Sequence, residues 1–400
     1  MGKQVLMVIS MMRGGGAERV ASLLMNEFHK NAHQVDFVLT SSTKDEVVRT
    51  DLKEEIPLHL LRENYGEDSV FVKVKMRLWR VYSSVFCRIF EKIKKPVPSS
   101  LAYASFVCQY YREIEQLREM MKKNPELIVI AFLQPSIPMV LLAAQGLPNK
   151  IIISERDNPK RLMRKRYGRP FVEKYYTRAD RVVYQTQDAL DTYPVCVSKK
   201  GLVIPNPIKE NLPLPYEGQR NKTITTFCRI SKQKNLPMLI EAFAMLHKEF
   251  PEYKLKIIGD AVTTEGKEVK TNAVKQIEEL GIQDSVLWCP FSAEVHKDVL
   301  QDAMYVNSSD YEGMSNAMLE ALAIGMPVVC TDCPIGGART MIQNEENGML
   351  VPVGDSKAMY EAMKKIIENK ELADKISHNA VKIRETLSLE NISKRWMELL

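Results

Sequence analysis

Two carboxylates and two cations stand at spacings that suit a ligand carrying both phosphates and hydroxyls. Glu312-Gly313-Met314-Ser315-Asn316-Ala317-Met318-Leu319-Glu320 follows a short apolar run at residues 304–307. Gly313 permits a tight turn, and Ser315 or Asn316 can cap the helix that follows. The backbone N–H groups of Met314, Ser315 and Asn316 then point out of a helix start, where the dipole favours phosphate. On a continuous helix the two carboxylates would lie about 12 Å apart, at roughly 1.5 Å per residue. Carboxylates accept from sugar hydroxyls, so each can grip one end of a sugar–diphosphate–ribose ligand. Arg229 directly follows a strand expected at 223–228, and Lys234 lies five residues on. An Arg fork and a Lys point charge at a strand end can clamp a diphosphate, though two exposed surface cations fit the same spacing. A third loop, residues 11–16, ends in Gly14-Gly15-Gly16 ahead of a helical pattern, allowing close backbone approach to an anion. Position 19 is Arg and no Gly-Lys-Ser/Thr follows, so neither the dinucleotide fingerprint nor a Walker A loop is present.

These loops need strands behind them and helices ahead. Short apolar runs predict strands at residues 5–10, 34–39, 127–131, 151–154, 181–184 and 202–204, with a helix at 17–30. Pro205-Asn206-Pro207, Pro213 and Pro215 punctuate the pattern as an interdomain linker would. The alternation then restarts, with strands at 223–228, 254–258, 286–289, 304–307 and 328–330. Helices are expected near 236–250, 271–280, 294–301 and 315–324. Repeated β-α units imply two doubly wound α/β domains with parallel sheets, whose ligands sit at the carboxyl ends of strands. The expected division is 1–205, 206–380, and a C-terminal helix in 381–400 that can pack back on the first domain.

Charge narrows the partners. The 400 residues carry 56 Lys and Arg against 50 Asp and Glu, a net +6. Between Lys73 and Lys95 stand Lys73, Lys75, Arg77, Arg80, Arg88, Lys92, Lys94 and Lys95 against Glu91 alone, so this stretch holds +7 and the rest sums to about zero. Leu78, Tyr82, Val85, Phe86, Ile89, Phe90 and Ile93 recur there at three- and four-residue steps. A basic amphipathic helix with aromatics suits an anionic membrane surface, and a packed surface helix with solvated lysines is the plainer alternative. Nucleic acid is disfavoured because the aromatics follow the helical stripe and form no separate stacking platform. The second basic knot, Lys160 to Arg169, suits anionic acceptor groups, lipid phosphates or a solvated face. No apolar run approaches the roughly 20 residues a spanning helix needs, and no signal-peptide core is read after residues 5–9. Seven scattered cysteines suit a reducing compartment, and Cys330-x2-Cys333 lacks the second pair or His cluster of a metal site.

Taken together, Glu312-x7-Glu320, Arg229-x4-Lys234, Gly15-Gly16-Ala17-Glu18, Gly325-Met326-Pro327-Val328-Val329 and the run Thr331–Gly337 resemble the retaining glycosyltransferases of family 4, glycosyl transferases group 1. The likeness covers nearly the whole chain and is strongest from 222 to 354. It implies the GT-B fold, two Rossmann-like domains facing a deep interdomain cleft, with acceptor bound by the first and nucleotide sugar by the second. It implies that Arg229 and Lys234 neutralise the donor diphosphate, that Glu320 binds ribose, and that Glu312 contacts the transferred sugar with Gly313, Met314, Ser315 and Asn316 beside it. Gly15 and Gly16 would face the diphosphate from the first domain. The base pocket would fall at Leu287, Cys289 and Pro290, where Pro290 replaces a common glycine. After residue 154 many relatives have a sugar-contacting histidine; here Arg156 or Asp157 is the substitute on the acceptor side.

The resulting expectation is a metal-independent, cofactor-free transferase moving a hexosyl or N-acetylhexosaminyl group, from a UDP-sugar by preference, to a glycan or lipid-linked saccharide. Its place would be cytoplasmic, peripheral at the inner face of the membrane, in surface polysaccharide or glycoconjugate synthesis. The chain contains no Asp-x-Asp to hold a metal-bound diphosphate. A hydrolysing nucleotide-sugar epimerase, or a non-catalytic nucleotide-sugar or membrane-binding adaptor, are the alternatives.

Overall fold

A computed structural model describes residues 2–48, 51–63, 70–93, 99–156, 158–164 and 168–400. The chain divides into two compact units, residues 1–205 with 392–400, and residues 206–391. Each is built on a wholly parallel sheet.

In the first unit the strands are β1 (Gln4–Ile9), β2 (Gln34–Leu39), β3 (Leu58–Leu60), β4 (Ile128–Phe132), β5 (Ile151–Ser154), β6 (Arg181–Tyr184) and β7 (Gly201–Val203). Their spatial order is β3-β2-β1-β4-β5-β6-β7. Val5 to Ile9 and Ile128 to Phe132 are buried without a break. Such unbroken runs, rather than alternating ones, are what a sheet covered on both faces demands. The helix Gly16–Lys30 turns Val20, Ala21, Leu24, Met25 and Phe28 onto the sheet. These recur at three and four residues, the period of one helical face.

The second unit carries β8 (Thr223–Phe227), β9 (Lys254–Ile258), β10 (Val286–Cys289), β11 (Met304–Asn307), β12 (Val328–Thr331) and β13 (Met349–Val351), ordered β10-β9-β8-β11-β12-β13. The sequence order reverses between β8 and β11, as it does between β1 and β4. At such a reversal the connections leave in opposite directions and the strand-end loops part, opening a crevice. The helix Ser356–Glu368 shows how local signals and packing agree. Asp355 caps it by accepting from Ala358 N at 2.8 Å, and Met359, Ala362, Met363 and Ile366 form its buried face.

The C-terminal segment is shared between the units. Residues 381–391 stay with the second unit, and 392–400 belong to the first. Arg384 explains the first part: its Nε donates to Ala323 O at 2.5 Å, and its Nη2 donates to Pro213 O. In the first unit Trp396 is fully buried, its ring 6.2 Å from that of Phe132, and Lys150 Nζ donates to Leu400 O at 3.0 Å.

The basic stretch forms the helix Val70–Lys92, which packs against the helix Ser99–Gln109. Most of its apolar stripe is not a core face: Leu78, Tyr82, Val85, Phe86, Ile89 and Ile93 are 36–65% exposed, Val74 and Val81 lie open as well, and Phe90 alone of the stripe is half-buried. Arg77, Arg88 and Lys92 are exposed with them, while Lys94 and Lys95 lie outside the described residues. Among the described residues no helix is long and apolar enough to cross a membrane.

Trp396→Ala removes a large, fully buried side chain from the first unit and should cost about 3–5 kcal/mol. A urea titration followed by circular dichroism checks this; an unshifted midpoint would show that residues 392–400 are not part of the core.

Candidate functional site

In the second unit the two switch-point strands, β8 and β11, end beside one another, and the loops that leave them are tied together. Ser308 Oγ donates to Lys234 O at 2.7 Å, Asp310 N to Gln233 O at 2.9 Å, and Gln233 Nε2 to Tyr311 O at 2.7 Å. Asn235 sits in the left-handed region at φ 42°, which asparagine tolerates better than most residues. Its Oδ1 caps the helix Leu236–Glu249 and its Nδ2 donates to Asp310 Oδ1 at 2.7 Å. Thr331 Oγ1 on β12 donates to Ser309 O at 2.6 Å, anchoring the β11 loop from its other side.

This framework places Lys234 and Glu312 in an ion pair, the two side chains only 18% and 14% exposed. Ser309 Oγ donates to the same Glu312 oxygen at 2.9 Å. Burial pushes the Lys234 ammonium toward neutrality, but the facing Glu312 carboxylate prevails and its pKa stays above the ordinary lysine value. Arg229 is exposed, and its positive charge is near enough to oppose that of Lys234. Of the expected clamp residues, Lys234 and Glu312 come together and neutralise one another, while Arg229 stands exposed just past the end of β8.

The helix begins at Asn316, so Glu312 lies four residues ahead of it in the loop and the 12 Å estimate from helical rise does not apply. Ser315 is the cap, accepting from Met318 N at 3.3 Å. Gly313, Met314 and Asn316 form the entry to that helix. Asn206 clasps it: its Nδ2 donates to Asn316 Oδ1 at 2.6 Å and to Met314 O at 3.3 Å. The Pro-Asn-Pro run, read in sequence as linker punctuation, thus also supports the site. Beneath the loop, Gly337 leaves no room for a side chain; a Cβ there would lie 2.0 Å from Gly313 O.

Glu320, on the first turns of the helix Asn316–Ala323, is 5% exposed and is met by His296, whose Nε2 lies 2.9 Å from Glu320 Oε2. His296 comes from a short helix, Val295–Asp298, and packs edge-on to Phe227 with ring centroids 6.0 Å apart. Nothing in the sequence singles it out, because its partner is 24 residues away. At the expected base pocket, Leu287 and Cys289 lie on edge strand β10 and Pro290 just beyond it. Leu287 and Pro290 are exposed and Cys289 half-buried. The neighbouring Phe291 is 68% exposed. Burial pushes the Cys330 and Cys333 thiols up, Cys333 to about 12, so neither is a ready nucleophile.

The first unit departs further from expectation. The N–H groups of Arg13 and Gly15 both donate to Glu18 Oε2, at 2.6 and 2.8 Å. The anion seated at the Gly15-Gly16 turn is thus the chain's own carboxylate, in a capping box. Arg156, the acceptor-side candidate, is 8% exposed. Its Nε donates to Ser154 Oγ at 2.8 Å, its guanidinium lies 4.4 Å from the Phe132 ring centroid, and burial lowers its pKa to about 9. Asp157 lies outside the described residues. Beyond β4, a cavity of about 280 Å³ is lined by Tyr103, Phe106, Tyr110, Gln134, Leu162 and Phe171 among others. Gln134 Nε2 donates to Tyr176 OH at 2.6 Å and Glu155 Oε1 at 3.1 Å, and Tyr176 OH donates to Glu155. This buried network fixes the polar wall of an otherwise aromatic chamber.

Comparison with known proteins agrees with this architecture. Residues 216–383 match the family described as Glycosyl transferases group 1. A Campylobacter jejuni N-acetylgalactosamine-N,N'-diacetylbacillosaminyl-diphospho-undecaprenol 4-alpha-N-acetylgalactosaminyltransferase is 28% identical over 60% of this chain and 66% of its own. The chain spans 49%, 66% and 34% of the first three curated relatives it matches. Among solved structures, Anabaena HepE in complex with UDP and glucose superposes with TM-score 0.75 at 16% identity, covering 99% of this chain and 98% of that one. S. aureus TarM, in complex with fondaparinux, alpha-GlcNAc-glycerol and UDP, gives 0.74 at 15%, covering 99% of both. At these identities the structural likeness establishes the fold, which is GT-B: two parallel-sheet Rossmann-like α/β units.

Gly337→Ala must push a Cβ into the Gly313 carbonyl and should cost about 1–3 kcal/mol by overpacking. Thermal unfolding measures it. An unchanged Tm would mean the β11 loop is not held from below.

Proposed function

We propose that the chain is a retaining glycosyltransferase of family 4 that transfers a hexosyl or N-acetylhexosaminyl group from a nucleotide sugar, a UDP-sugar by preference, to a glycan or lipid-linked saccharide. The observation that carries this reading is the ion pair of Lys234 and Glu312 at the β8/β11 switch point, with Arg229 just past β8 and the Asn316–Ala323 helix starting four residues after Glu312. The matched domain, residues 216–383, contains all of these residues. A solved structure with the same fold holds UDP and glucose, and one relative is named for an undecaprenol-linked acceptor.

In this reading the donor diphosphate replaces Glu312 as the partner of Lys234. The exchange costs little Coulomb energy, because one anion takes the place of another beside the same ammonium. Glu312 is released toward the sugar, where it accepts from a hydroxyl. As the bond from the anomeric carbon to the phosphate oxygen breaks, charge grows on the departing diphosphate. In this reading Arg229, Lys234 and the helix-start N–H groups neutralise that charge, on loops already tied together before the donor arrives. The acceptor hydroxyl attacks from the same face, its oxygen bonding the anomeric carbon while its proton passes to the departing phosphate. These cations and dipoles supply the neutralisation that a metal gives in other transferases, so we assign none. The base rests at the end of β10 by Leu287, Cys289 and Pro290, with the exposed Phe291 ring available for stacking. The acceptor side is assigned to the first unit, near the aromatic cavity beyond β4.

The exposed apolar stripe of helix Val70–Lys92, flanked by basic residues, supports a peripheral seat on the anionic, cytoplasmic face of the membrane. A solvated surface helix would not leave seven large apolar side chains this open.

A donor screen reading free UDP and GDP, with and without membrane extract and EDTA, tests the transfer. Release that requires extract and survives EDTA is expected, with Lys234→Ala and Glu312→Gln each losing about a hundredfold or more in kcat/KM. Hydrolysis without an acceptor, or a fully active Glu312→Gln, would contradict it. Sedimentation with liposomes rich in anionic lipid tests the membrane seat. Charge reversal at Lys73, Lys75, Arg77 and Arg80 should abolish binding, each basic residue near the surface contributing about 1 kcal/mol.

A further inference from the structure

We infer that the aromatic chamber beyond β4 is a carbohydrate site for one pyranose ring, with Gln134 Oε1 accepting from a ring hydroxyl. Calling that ring a unit of the saccharide acceptor rests on the proposed function, whereas its binding stands on the chamber's own chemistry. Pockets for drug-sized ligands begin at roughly 300 Å³, so a chamber of about 280 Å³ admits a single ring rather than a chain of them. Gln134 stands two residues past β4 and Glu155 directly after β5, its neighbour in the sheet. The polar wall thus lies at the carboxyl ends of adjacent strands, where α/β sheets take their ligands.

That wall decides which atom a ligand meets. An ionised carboxylate only accepts, so the Gln134 amide must turn its nitrogen toward Glu155 Oε1, 3.1 Å away. The same nitrogen donates to Tyr176 OH at 2.6 Å. Burial, reinforced by Glu155, pushes the Tyr176 phenol well up, so it keeps the proton it donates to that carboxylate. Both amide hydrogens are therefore spent within the wall. The amide oxygen accepts from none of the described residues. Glu155, 5% exposed, polarises the amide from behind and strengthens that oxygen as an acceptor.

The apolar walls are held as firmly. Tyr103 lies flat against Tyr175, centroids 5.1 Å apart at 10°, and Phe171 stacks on the same ring at 4.6 Å. Phe171 also meets Tyr176 nearly edge-on, at 86°. Rings fixed by one another before a ligand enters lower the ordering cost of binding. The two kinds of wall select the occupant. A hydrocarbon chain would bury Gln134 Oε1 without a donor, at a cost of about 1–3 kcal/mol. An anion would face that oxygen and the Glu155 charge behind it. A pyranose has C–H faces for Tyr103, Phe106 and Phe171 and hydroxyls to donate, and exposed Gln109 lines the chamber as well.

The test uses the full chain and no donor. Saturation-transfer NMR is run with the methyl α- and β-glycosides of glucose, galactose, N-acetylglucosamine and N-acetylgalactosamine, and with farnesol as the hydrocarbon probe. At least one glycoside should bind. Gln134→Met, which keeps the length but not the amide, should weaken it about fivefold, and Leu162→Trp, which fills the chamber, should abolish it. Among mono-deoxy analogues of the bound glycoside, one should lose about fivefold on the wild type and nothing further on Gln134→Met. Circular dichroism melts establish that each variant folds, and the deoxy series on the wild type needs no variant. Absence of any glycoside binding overturns the inference, as does binding that Leu162→Trp leaves intact or a deoxy series with no sensitive position. Farnesol binding that Leu162→Trp abolishes, with no glycoside bound, would make the chamber a hydrocarbon site and overturn it too. Glycoside binding in the chamber without transfer in the donor screen would uphold the site and remove only its acceptor role. Transfer without such binding would leave the proposed function standing and sink the inference alone.

Discussion

The second unit's site depends on two opposite charges held together where water scarcely reaches. Desolvating an ammonium and a carboxylate costs several kcal/mol each, and their mutual attraction repays it only with good geometry and further hydrogen bonds. Lys234 and Glu312 meet that condition through Ser309, which donates to the same Glu312 oxygen, and through the loop ties from Ser308, Gln233 and Asn235. A buried pair of this kind is a poor source of stability, since apolar residues of similar volume would often do as well. What it does provide is a cation held in place before an anionic ligand arrives, with its charge kept by Glu312 against the effect of burial.

That arrangement is possible only because β8 and β11 are neighbours despite lying about eighty residues apart in sequence. Every strand of the second sheet runs parallel, and the reversal of order between these two leaves their carboxyl-end loops free to converge. The ties between the loops then use side chains that sequence reasoning treats as generic turn residues. Ser308, Asp310 and Asn235 are such residues, and their partners become visible only once the strand order is known.

The same logic explains what the sequence disclosed. Apolar runs of four to six residues mark most strands, and β2, β5, β6, β9, β10 and β11 fall where such runs predict, although Asp36 and Lys256 interrupt β2 and β9. The two strands without an advance signal, Leu58–Leu60 and Met349–Val351, are three-residue edges of their sheets, too short for any period to show. The helix Thr264–Glu279 starts a full two turns before its expected position because Thr263 caps a polar first stretch. Within the site, residues following a strand closely, such as Arg229 and Glu312, are legible from that placement. His296 and Asn206 are not, since each acts on a helix far along the chain. At Gly15 and Arg156 the structure shows internal partners that the sequence did not announce. A glycine loop at a helix start suggests an external anion, yet Glu18, three residues on, fills the role. An arginine beyond a strand suggests a ligand, yet two aromatic rings and a buried serine accept its guanidinium.

The helix Val70–Lys92 marks the limit of what periodicity can say. A hydrophobic stripe at three- and four-residue steps establishes that one face is apolar, but core and membrane make the same demand on the residues. Exposure separates them. In the helix Gly16–Lys30 the stripe is Val20, Leu24 and Phe28, each at 1% exposure or less, whereas in Val70–Lys92 the corresponding Leu78, Val81 and Val85 stand at 65, 56 and 48%. Among the described side chains of the basic helix, this apolar face is thus left open by packing within the first unit. Its charge specifies the kind of surface that would. The stretch Lys73–Lys95 carries seven excess positive charges in a chain otherwise near neutral, and of these Arg77, Arg88 and Lys92 are exposed beside the stripe, which is what the membrane seat proposed above asks of them. A protein partner would need both an acidic rim and an apolar groove of matching length, whereas a bilayer offers both along any line on its surface.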